Sequence, residues 1–403
     1  MSWEKSTLGE ISDFIRNGAS IKQMDGASGL PITRIETIAA RAVNFDKCGY
    51  ANIGDNEYED RRMQPGDILI SHINSEKHLG KCAIFDSDRK DLIHGMNLLC
   101  LRPNEKVFPK FVFYYLNSQL FLNLLPKITK KSVNQASFTV THFKELPIPL
   151  PPLPVQKQIA AVLEKADTLR GQCQQMGQEL NTLAQSVFLE MFGDPVTNPK
   201  SWNEYSIAEL LIGKPQIGTT KPAHAGGIQK VVRVGELGER ELNYQKCAPI
   251  TLEGNEYEKY HLIEGDYLLA RAIGSISHLG KASVYINQET DYVYDSHVMR
   301  LRFDHKKILS QFFYQFMKTD GGRTLFLRSS AQTSVQFNIN SKQISGIKIP
   351  VPPIDKQKEY ISTLNEIIEM NNYSLAQREE ALSNFNSLMQ RAFKGELELK
   401  DVA

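Results

Sequence analysis

The chain has 403 residues, of which 41% are hydrophobic and 23% are charged, a balance typical of a folded globular protein rather than a disordered one. Its net charge of +1 argues against a protein that coats nucleic acid with its whole surface, so any DNA contact must come from locally basic segments. No segment has the roughly 18 apolar residues that cross a bilayer, the N-terminus lacks a signal-peptide pattern, and the five cysteines include no Cys-x-x-Cys pair. We therefore expect a cytoplasmic protein with reduced thiols and no metal site.

The first half of the chain recurs in the second half. Four short motifs share an offset between 199 and 201 residues. They are NEYE at 56–59 and 255–258, HLGK at 78–81 and 278–281, the tryptophans Trp3 and Trp202, and Pro-Pro-x-x-x-Gln-Lys starting at Pro151 and Pro352. A constant offset of this size indicates the tandem duplication of one unit of about 200 residues, which is far longer than a solenoid repeat.

Each copy begins with a segment that predicts a mixed α/β domain. In the first copy, short apolar runs at 66–71 and 81–85 predict strands, and a longer apolar run at 108–125 predicts a helix. The second copy repeats this order with GDYLLA, KASVYI and KILSQFFYQFMKTDGG.

A proline-rich passage follows each domain, IPLPPLP at 148–154 and IPVPPID at 349–355. Because proline fixes φ and lacks an N–H, these residues should form neither strand nor helix interior but an extended, polyproline-like connection. Pro154 and Asp355 should lie close to the start of the next helix, where a missing N–H and a negative charge are tolerated.

A long helix is predicted after each proline passage, because apolar residues recur at alternating steps of four and three, as in a heptad seam. The first seam comprises Val155, Ile159, Val162, Ala166, Leu169, Cys173, Met176, Leu180, Leu183 and Val187. The second comprises Ile361, Leu364, Ile368, Asn371, Leu375, Arg378, Leu382, Phe385 and Met389, in which Asn371 and Arg378 either fix the register or mark a solvated point. Two seams of similar length predict an antiparallel coiled coil.

These patterns predict an α+β fold in four segments. They are a mixed α/β domain at 1–150, a long helix at 151–193, a second mixed α/β domain at 194–351 and a second long helix at 352–397.

No motif predicts an activity of the chain's own. An amino-methyltransferase needs an Asn/Asp-Pro-Pro-aromatic motif and a glycine-rich loop for S-adenosylmethionine, and the sequence has neither. The passage 274–282 has the wrong glycine spacing for a phosphate-binding loop, and Ala282 stands where that loop needs Ser or Thr. We predict no catalytic residue and no cofactor in this chain.

Three groups of residues are candidates for DNA contact, and each occurs in both copies. The first lies in the acid-free basic stretches 126–144 and 321–348, which are rich in Ser, Thr, Asn and Gln. The second lies in the polar turns that lead into HLGK, where the copies differ and where His72 aligns with Arg271, arginine being the commonest reader of guanine. The third consists of one lysine and one arginine in each copy, and each lies 199 residues from its counterpart in the other copy.

These candidates are Lys127, Lys130, Lys131, Arg323 and Arg328 in the first group; His72, Asn74, Lys77, Lys81, Arg271, Ser275, Ser277 and Lys281 in the second; and Lys22, Arg34, Lys221 and Arg233 in the third. A solvated surface loop remains the alternative for the first group, and structural ion pairing remains the alternative for the others.

The order of these segments resembles the specificity (S) subunit of Type I restriction–modification enzymes over almost the whole chain. The two Pro-Pro-x-x-x-Gln-Lys passages and FGDPVTNPK at 192–200 carry the resemblance most specifically. The second passage departs slightly, with Asp355-Lys356 where the first has Pro154-Val155.

The resemblance implies a non-catalytic subunit in which each globular domain is a target recognition domain that reads one half of a split, asymmetric site in double-stranded DNA. It further implies that the helices set the unread spacer and dock two methyltransferase (M) subunits, which bind S-adenosylmethionine, and that restriction (R) subunits join this core. A coiled-coil scaffold that binds proteins only, or an S-like reader in another phage-defence complex, remains the alternative.

Overall fold

The computed structural model describes residues 3–38, 41–132, 135–273, 280–328, 331–332, 337–338 and 340–398. It divides into two compact units, of which unit 1 comprises 1–175 and 375–403, and unit 2 comprises 176–374. Each unit therefore holds one globular domain, the first part of one long helix and the last part of the other.

In unit 1, nine described strands and three short helices precede the first long helix. The strands are β1 (Lys5–Thr7), β2 (Ser12–Asn17), β3 (Ile68–Ser71), β4 (Ile73–Asn74), β5 (Cys82–Ile84), β6 (Leu98–Pro103), β7 (Lys130–Lys131), β8 (Ala136–Ser137) and β9 (Pro147–Pro149). The helices are α1 (Pro109–Leu116), α2 (Gln119–Leu122), α3 (Val140–Lys144) and the long helix α4 (Leu153–Phe192), whose last part lies in unit 2.

In unit 2, the strands follow the same plan. They are β10 (Glu204–Ser206), β11 (Gln216–Ile217), β12 (Gln229–Val232), β13 (Ala248–Ile250), β14 (Tyr267–Ala270), β15 (Ala272–Ile273), β16 (Ala282–Val284), β17 (Tyr292–Tyr294), β18 (Val298–Leu301), β19 (Ala331–Gln332), β20 (Phe337–Asn338) and β21 (Lys348–Pro350). The helices are α5 (Ile207–Leu210), α6 (Gly254–Tyr260), α7 (Ser310–Lys318), α8 (Asp320–Arg328), α9 (Ser341–Gly346) and the long helix α10 (Ile354–Lys394), whose last part lies in unit 1.

Single turns of 3-10 helix connect several of these elements. They span Ile35–Ile38, Phe45–Lys47, Glu59–Arg61, Glu76–His78, Leu125–Lys127, Val234–Glu236 and Tyr244–Lys246.

A four-stranded antiparallel sheet forms the centre of each domain, in the order β2-β6-β3-β5 in unit 1 and β11-β18-β14-β16 in unit 2. Both faces of the sheet are buried. Successive side chains of a strand point to opposite faces, so neighbouring residues of one strand belong to different clusters. Ile68 and Ile70 of β3 pack with Phe111 of α1, whereas Leu69 packs in a second cluster with Phe85. This explains why the central strands read as unbroken apolar runs.

A buried ion pair ties the two middle strands together in each sheet. Arg102 donates from Nε and Nη2 to both carboxylate oxygens of Asp67, each at 2.7 Å, and Asp67 is only 1% exposed. Arg302 makes the same two 2.7 Å hydrogen bonds to Asp266 in unit 2. The two-pronged geometry satisfies the buried carboxylate and fixes the strand register.

The first two residues of each proline passage, 148–149 and 349–350, lie in a strand, which the sequence did not predict, whereas Pro151, Pro152, Pro352 and Pro353 lie in neither strand nor helix. Residues Pro147–Pro149 pair with β1 as an antiparallel ladder, with Ile148 opposite Ser6, and Lys348–Pro350 pair with β10 in the same way. The expectation that prolines exclude a strand here was wrong because this ladder has only two strands. The N atoms of Pro147 and Pro149 fall at the positions that do not bond to the neighbour, where proline is tolerated.

A buried glutamine joins each long helix to its domain. Gln156 of α4, which is 1% exposed, accepts a hydrogen bond at Oε1 from the backbone N of Phe108 (2.8 Å), the residue before α1. Its Nε2 donates to the carbonyls of Lys106 (3.2 Å) and Pro151 (2.8 Å). The side chain thus connects the end of the proline passage, the loop after β6 and the start of α1.

The second copy repeats this arrangement. Gln357, which is fully buried, accepts from the backbone N of Leu309 (2.9 Å) and donates to the carbonyls of Lys307 (3.0 Å) and Pro352 (2.8 Å). The conserved spacing within the chain, Pro-Pro-x-x-x-Gln, therefore has a physical reason in both halves.

The two helix segments of unit 2 run antiparallel. The ring of Tyr360 packs against Phe188 and Phe192 with centroids 5.3 and 5.4 Å apart. Further along α10, Asn371 lies 3.5 Å from Asn181, an earlier residue of α4, so the chain directions oppose each other.

The helix segments of unit 1 pair in the same sense. Ile159 and Leu163 of α4 share a buried cluster with Phe385 and Met389 of α10. The guanidinium of Arg170, further along α4, lies 5.4 Å from the ring centroid of Phe385. The predicted fold class, with mixed α/β domains and antiparallel long helices, is confirmed.

The predicted seam is displaced by one residue at every second position. Five of its members are between 41% and 54% exposed: Leu169, Met176, Leu183, Leu375 and Leu382. The neighbouring positions face the partner helix instead. They are Arg170, Gly177, Ala184, Ser374 and Ala381, and all except Arg170 are smaller than the adjacent residue of the predicted seam. The larger apolar side chains of the predicted seam are turned outward. Arg378 is exposed, whereas Asn371 is half-buried beside Asn181.

We predict that Gln156→Leu destabilises the protein by about 2–4 kcal/mol, because the substitution leaves a backbone N–H and two carbonyls without their partner. Urea-induced unfolding followed by circular dichroism measures this change. Lys157→Ala, at the exposed next position of the same helix, is the matched control. Equal stability of the two variants would contradict the structural role of the glutamine.

Candidate nucleic-acid interface

Two of the three predicted contact segments of unit 1, those after β2 and β3, leave the same end of the central sheet. Strand β6 lies between β2 and β3 and runs antiparallel to both, so its first residues lie beside the last residues of its neighbours. Ser71 at the end of β3 pairs with Leu98 at the start of β6, and Asn17 at the end of β2 pairs with Leu99. We call this the loop end of the sheet; in unit 2 it is the end where β11 and β14 stop and β18 begins.

A small three-stranded sheet at the loop end unites two of the segments. Strand β8 pairs with β4 on one side and with β7 on the other, so that Ser137 lies opposite both Ile73 and Lys130. The turn at 71–81 and the basic stretch at 126–144 therefore meet, although more than 50 residues separate Asn74 from Lys130 in the chain.

Most of the basic side chains of this small sheet reach solvent. Lys77, Lys127 and Lys130 are exposed, and Lys131 is exposed while its Nζ lies 2.7 Å from Glu76. Asn74 and Lys81 are half-buried, and Nδ2 of Asn74 donates to the hydroxyl of Ser71 at 3.2 Å.

His72 lies inside the protein. It is 4% exposed, and its ring packs edge-on against Phe138 with centroids 6.3 Å apart. Burial lowers the pKa of His72 to about 4, so the ring is neutral at physiological pH. The side chain supports the base of the small sheet and is not presented to a ligand.

Unit 2 builds the same small sheet from β15, β20 and β19. Arg271, the counterpart of His72, is half-buried between β14 and β15, and its backbone N donates to the carbonyl of His297 at 3.1 Å. Ser275 and Ser277 lie outside the described residues.

Two further candidates of unit 2 lie by a cavity. Lys281 and Arg323 line a cavity of about 440 Å³ together with Lys318, and Nζ of Lys281 donates to the carbonyl of Val234 at 3.3 Å. Arg328 is exposed at the last residue of α8. Positive side chains thus gather on both sides of this cavity.

The third predicted segment places Arg34 in a groove at the loop end of unit 1. The groove, of about 400 Å³, is also lined by Gln23, Glu36, Met96 and Asn97. The guanidinium Nε of Arg34 donates to Oε1 of Gln23. Lys22, next to Gln23, is exposed.

Its counterpart Arg233 bonds to a carboxylate. Nη2 of Arg233 donates to Oε1 of Glu236 at 2.8 Å and Nε to Oε2 at 3.3 Å, and this hydrogen bonding raises the pKa of Arg233. Arg233 nevertheless stays 47% exposed. Lys221 lies 4.0 Å from Glu256 and is likewise exposed.

Sequence reasoning missed the residues that precede β6 and β18. Met96 and Asn97 are exposed at the loop end of unit 1, and His297 is exposed at the equivalent place in unit 2. A signal was available, because the two copies differ just before these strands, with HGMN in the first and YDSH in the second. The strand pairing was needed to show that these loops lie beside the basic segments.

Within the described residues, no group of three or more His, Cys, Asp or Glu side chains is arranged to hold a metal ion. None of the helices in that part of the chain is both long and apolar enough to span a membrane. The loop end carries the carboxylates of Glu36, Glu76 and Glu236 besides its amides and positive charges. The amides and positive charges suit phosphates and base edges.

Comparison with known families gives a match over most of the chain. The family model described as the Type I restriction modification DNA specificity domain matches twice, at residues 1–181 and 199–384. The two matches correspond to the two copies of the repeat.

Curated relatives cover nearly the full length. The chain is 29% identical to a putative type I restriction enzyme MjaX specificity subunit of Methanocaldococcus jannaschii, over 96% of this chain and 92% of the relative. It is 22% identical to the EcoKI specificity subunit of Escherichia coli K12, over 98% of this chain and 89% of the relative.

Solved structures share the fold. One, from work on complex assembly and conformational transition of the type I R-M system, has a TM-score of 0.57 at 16% identity and covers 98% of both chains. Another, the S subunit of a type I system from M. genitalium, has a TM-score of 0.56 at 14% identity and covers 98% of this chain and 96% of that one. Together with the duplicated domains and the paired helices, the two family matches show that this chain belongs to the Type I restriction–modification DNA specificity subunits, with two target recognition domains.

Proposed function

We propose that this chain is the non-catalytic sequence reader of a cytoplasmic Type I restriction–modification complex, and that each target recognition domain reads one half of a bipartite, asymmetric site in double-stranded DNA. In this proposal residues 1–150 and 194–351 are the readers, and residues 151–193 and 352–397 are the spacer helices. The observation that carries it is the convergence, in both units, of the three basic or polar segments at the loop end of the central sheet.

Differences between the two loop ends support an asymmetric target. Thr37 corresponds to Glu236, and Asn97 corresponds to His297, whereas the ion pairs and glutamines that hold each domain together are the same. A symmetric site would need the same chemical groups in both domains, because base edges are read by matching donors and acceptors.

The outer faces of the helices support a docking role. In unit 1, Leu169 is 54% exposed and Leu382 is 45% exposed; in unit 2, Met176 is 51% exposed and Leu183 is 43% exposed. Apolar side chains at a seven-residue spacing along one helix face form a stripe that a further helix can pack against. We propose that two methyltransferase (M) subunits, which carry S-adenosylmethionine, dock here, and that restriction (R) subunits join that core.

We predict that Lys130→Ala weakens binding to DNA of every sequence to a similar extent and lowers the slope of log affinity against log salt by about 1, because a phosphate contact releases about one counterion. Fluorescence anisotropy with the S–M complex at several salt concentrations measures both effects.

Lys106→Ala is the control, since Lys106 is an exposed lysine beyond the opposite end of β6. A protein that serves only as a scaffold would show no sequence preference in the wild type and no difference between the two variants.

We predict that inserting one heptad into both α4 and α10 lengthens the unread spacer while leaving both half-sites unchanged. Seven helical residues span about 10 Å, which corresponds to about three base pairs. Long-read sequencing of methylated DNA from a host that expresses the variant with its M subunit reads the motif directly. Altered half-sites with an unaltered spacer would contradict the spacer role.

We predict that Leu169→Asp and Leu183→Asp each lower the yield of co-purified M subunit by roughly tenfold or more, because each puts a charge into a desolvated contact. The isolated chain should keep its melting temperature, as both side chains are exposed. Gln174→Asp and Gln185→Asp, at exposed polar positions on another face of the same helix, are the controls. Normal recovery of the complex with the leucine variants would exclude this face as the docking surface.

A further inference from the structure

We infer that Arg34 and Arg233 are specificity-determining residues, each oriented by a neighbouring side chain to read a guanine in the half-site of its own domain. This inference rests on the proposed function. The partner chemistry is the O6/N7 edge of guanine in the major groove of double-stranded DNA.

The two arginines occupy the same structural position. Each precedes a single 3-10 turn, Ile35–Ile38 or Val234–Glu236. Each backbone N donates at 2.8 Å to the side-chain oxygen of the residue three positions later, which is Thr37 in one case and Glu236 in the other. The arginine side chains therefore start from equivalent, fixed backbones.

Each guanidinium is held from the side. In unit 1, Nε of Arg34 donates to Oε1 of Gln23. In unit 2, Nε and Nη2 of Arg233 donate to the two carboxylate oxygens of Glu236. A guanidinium has five N–H donors in a planar fork, and side-on binding leaves the outward N–H of both terminal nitrogens for a second partner. That outward pair matches the two acceptors of guanine.

The surroundings admit a base edge. Arg34 lines the open groove at the loop end, and the exposed side chains of Met96 and Asn97 form its other side. Among the described residues, no carboxylate lies within 4 Å of the Arg34 guanidinium in an ion pair, and Arg233 remains 47% exposed beside Glu236. The lysines of the small sheet lie at the same end of the domain and supply the phosphate contacts that hold a duplex there.

The two supports differ in charge, and this gives the inference a distinct signature. Gln23 is neutral, so Arg34 adds a full positive charge to the DNA-binding surface. Glu236 neutralises Arg233, so the pair orients the guanidinium but adds little net charge to the DNA-binding surface. Replacing Glu236 by Gln should therefore raise the salt dependence of binding, because the charge of Arg233 is no longer neutralised, whereas replacing Gln23 by Leu should leave it unchanged.

The test uses the S–M complex and compares charge-preserving variants. Arg34→Lys keeps the charge but loses the fork, and Gln23→Leu keeps the arginine but removes its support. Both should retain binding to random DNA and its salt slope. Both should lose about tenfold to a hundredfold discrimination at one guanine position of the half-site read by unit 1, with the other half-site unchanged. Arg233→Lys, which keeps the charge, and Glu236→Gln, which raises it by one, should relax specificity in the other half-site alone.

Arg89→Lys is the matched control. Arg89 is also held from the side, by Asp91, through Nε at 2.9 Å and Nη2 at 2.6 Å, but it follows β5 at the opposite end of the sheet. The Arg89→Lys variant should leave the methylated motif unchanged, as mapped by long-read sequencing. Gln23→Leu and Glu236→Gln, measured against salt, test the predicted difference in slope.

The outcomes separate the two proposals. If the wild-type complex modifies one bipartite motif and the lysine variants modify the same motif with the same preference, the arginines are not readers and the inference fails alone. If the wild-type complex shows no sequence preference, the proposed function fails. A relaxed guanine position in the Arg34→Lys motif, with the second half-site intact, supports both.

Discussion

The orientation of each target recognition domain on its helix depends on one buried side chain, Gln156 in the first copy and Gln357 in the second. Each amide makes three hydrogen bonds to backbone groups of the proline passage, of the loop before the first domain helix and of that helix's start. Rotating the domain against the helix would break several of these buried hydrogen bonds. Water could not replace them, so the loss in free energy is far larger than for exposed contacts. The proline ladder alone would leave this angle less determined.

The central sheet connects this joint with the loop end. Strand β6 has six residues, spans about 20 Å, and begins beside the candidate contact segments. It ends just before the loop that contains Lys106, and Nε2 of Gln156 donates a hydrogen bond to the carbonyl of Lys106. Both faces of the sheet are packed, and the Asp67–Arg102 pair fixes the register of β6 with β3. A loop that we propose to contact DNA is therefore joined to the helix through a strand with little freedom to bend.

The sequence was sufficient for the duplication, the fold class and the long helices, because each leaves a periodic or repeated pattern. It was insufficient for the seam, since Val162 and Leu163 are both apolar and the pattern alone does not decide which faces the partner. The packing settles this, because Leu163 is fully buried and Val162 is only half-buried. The site shows the same limit: His72 aligns with Arg271, yet only the packing of Phe138 reveals that the histidine is buried.

The two copies have kept one set of residues and changed another, and the division follows position in the fold. The buried glutamines and the Asp–Arg pairs, which hold strands and helices together, are identical in both units. The differing residues at the loop end include Asn97 and His297, which are exposed. They also include Thr37 and Glu236, which are buried and accept a hydrogen bond from the backbone N of Arg34 and Arg233. Because a change there leaves the joint and the sheet intact, one domain can acquire new contact chemistry without altering its angle on the helix. Such independence is what two readers of unlike half-sites require.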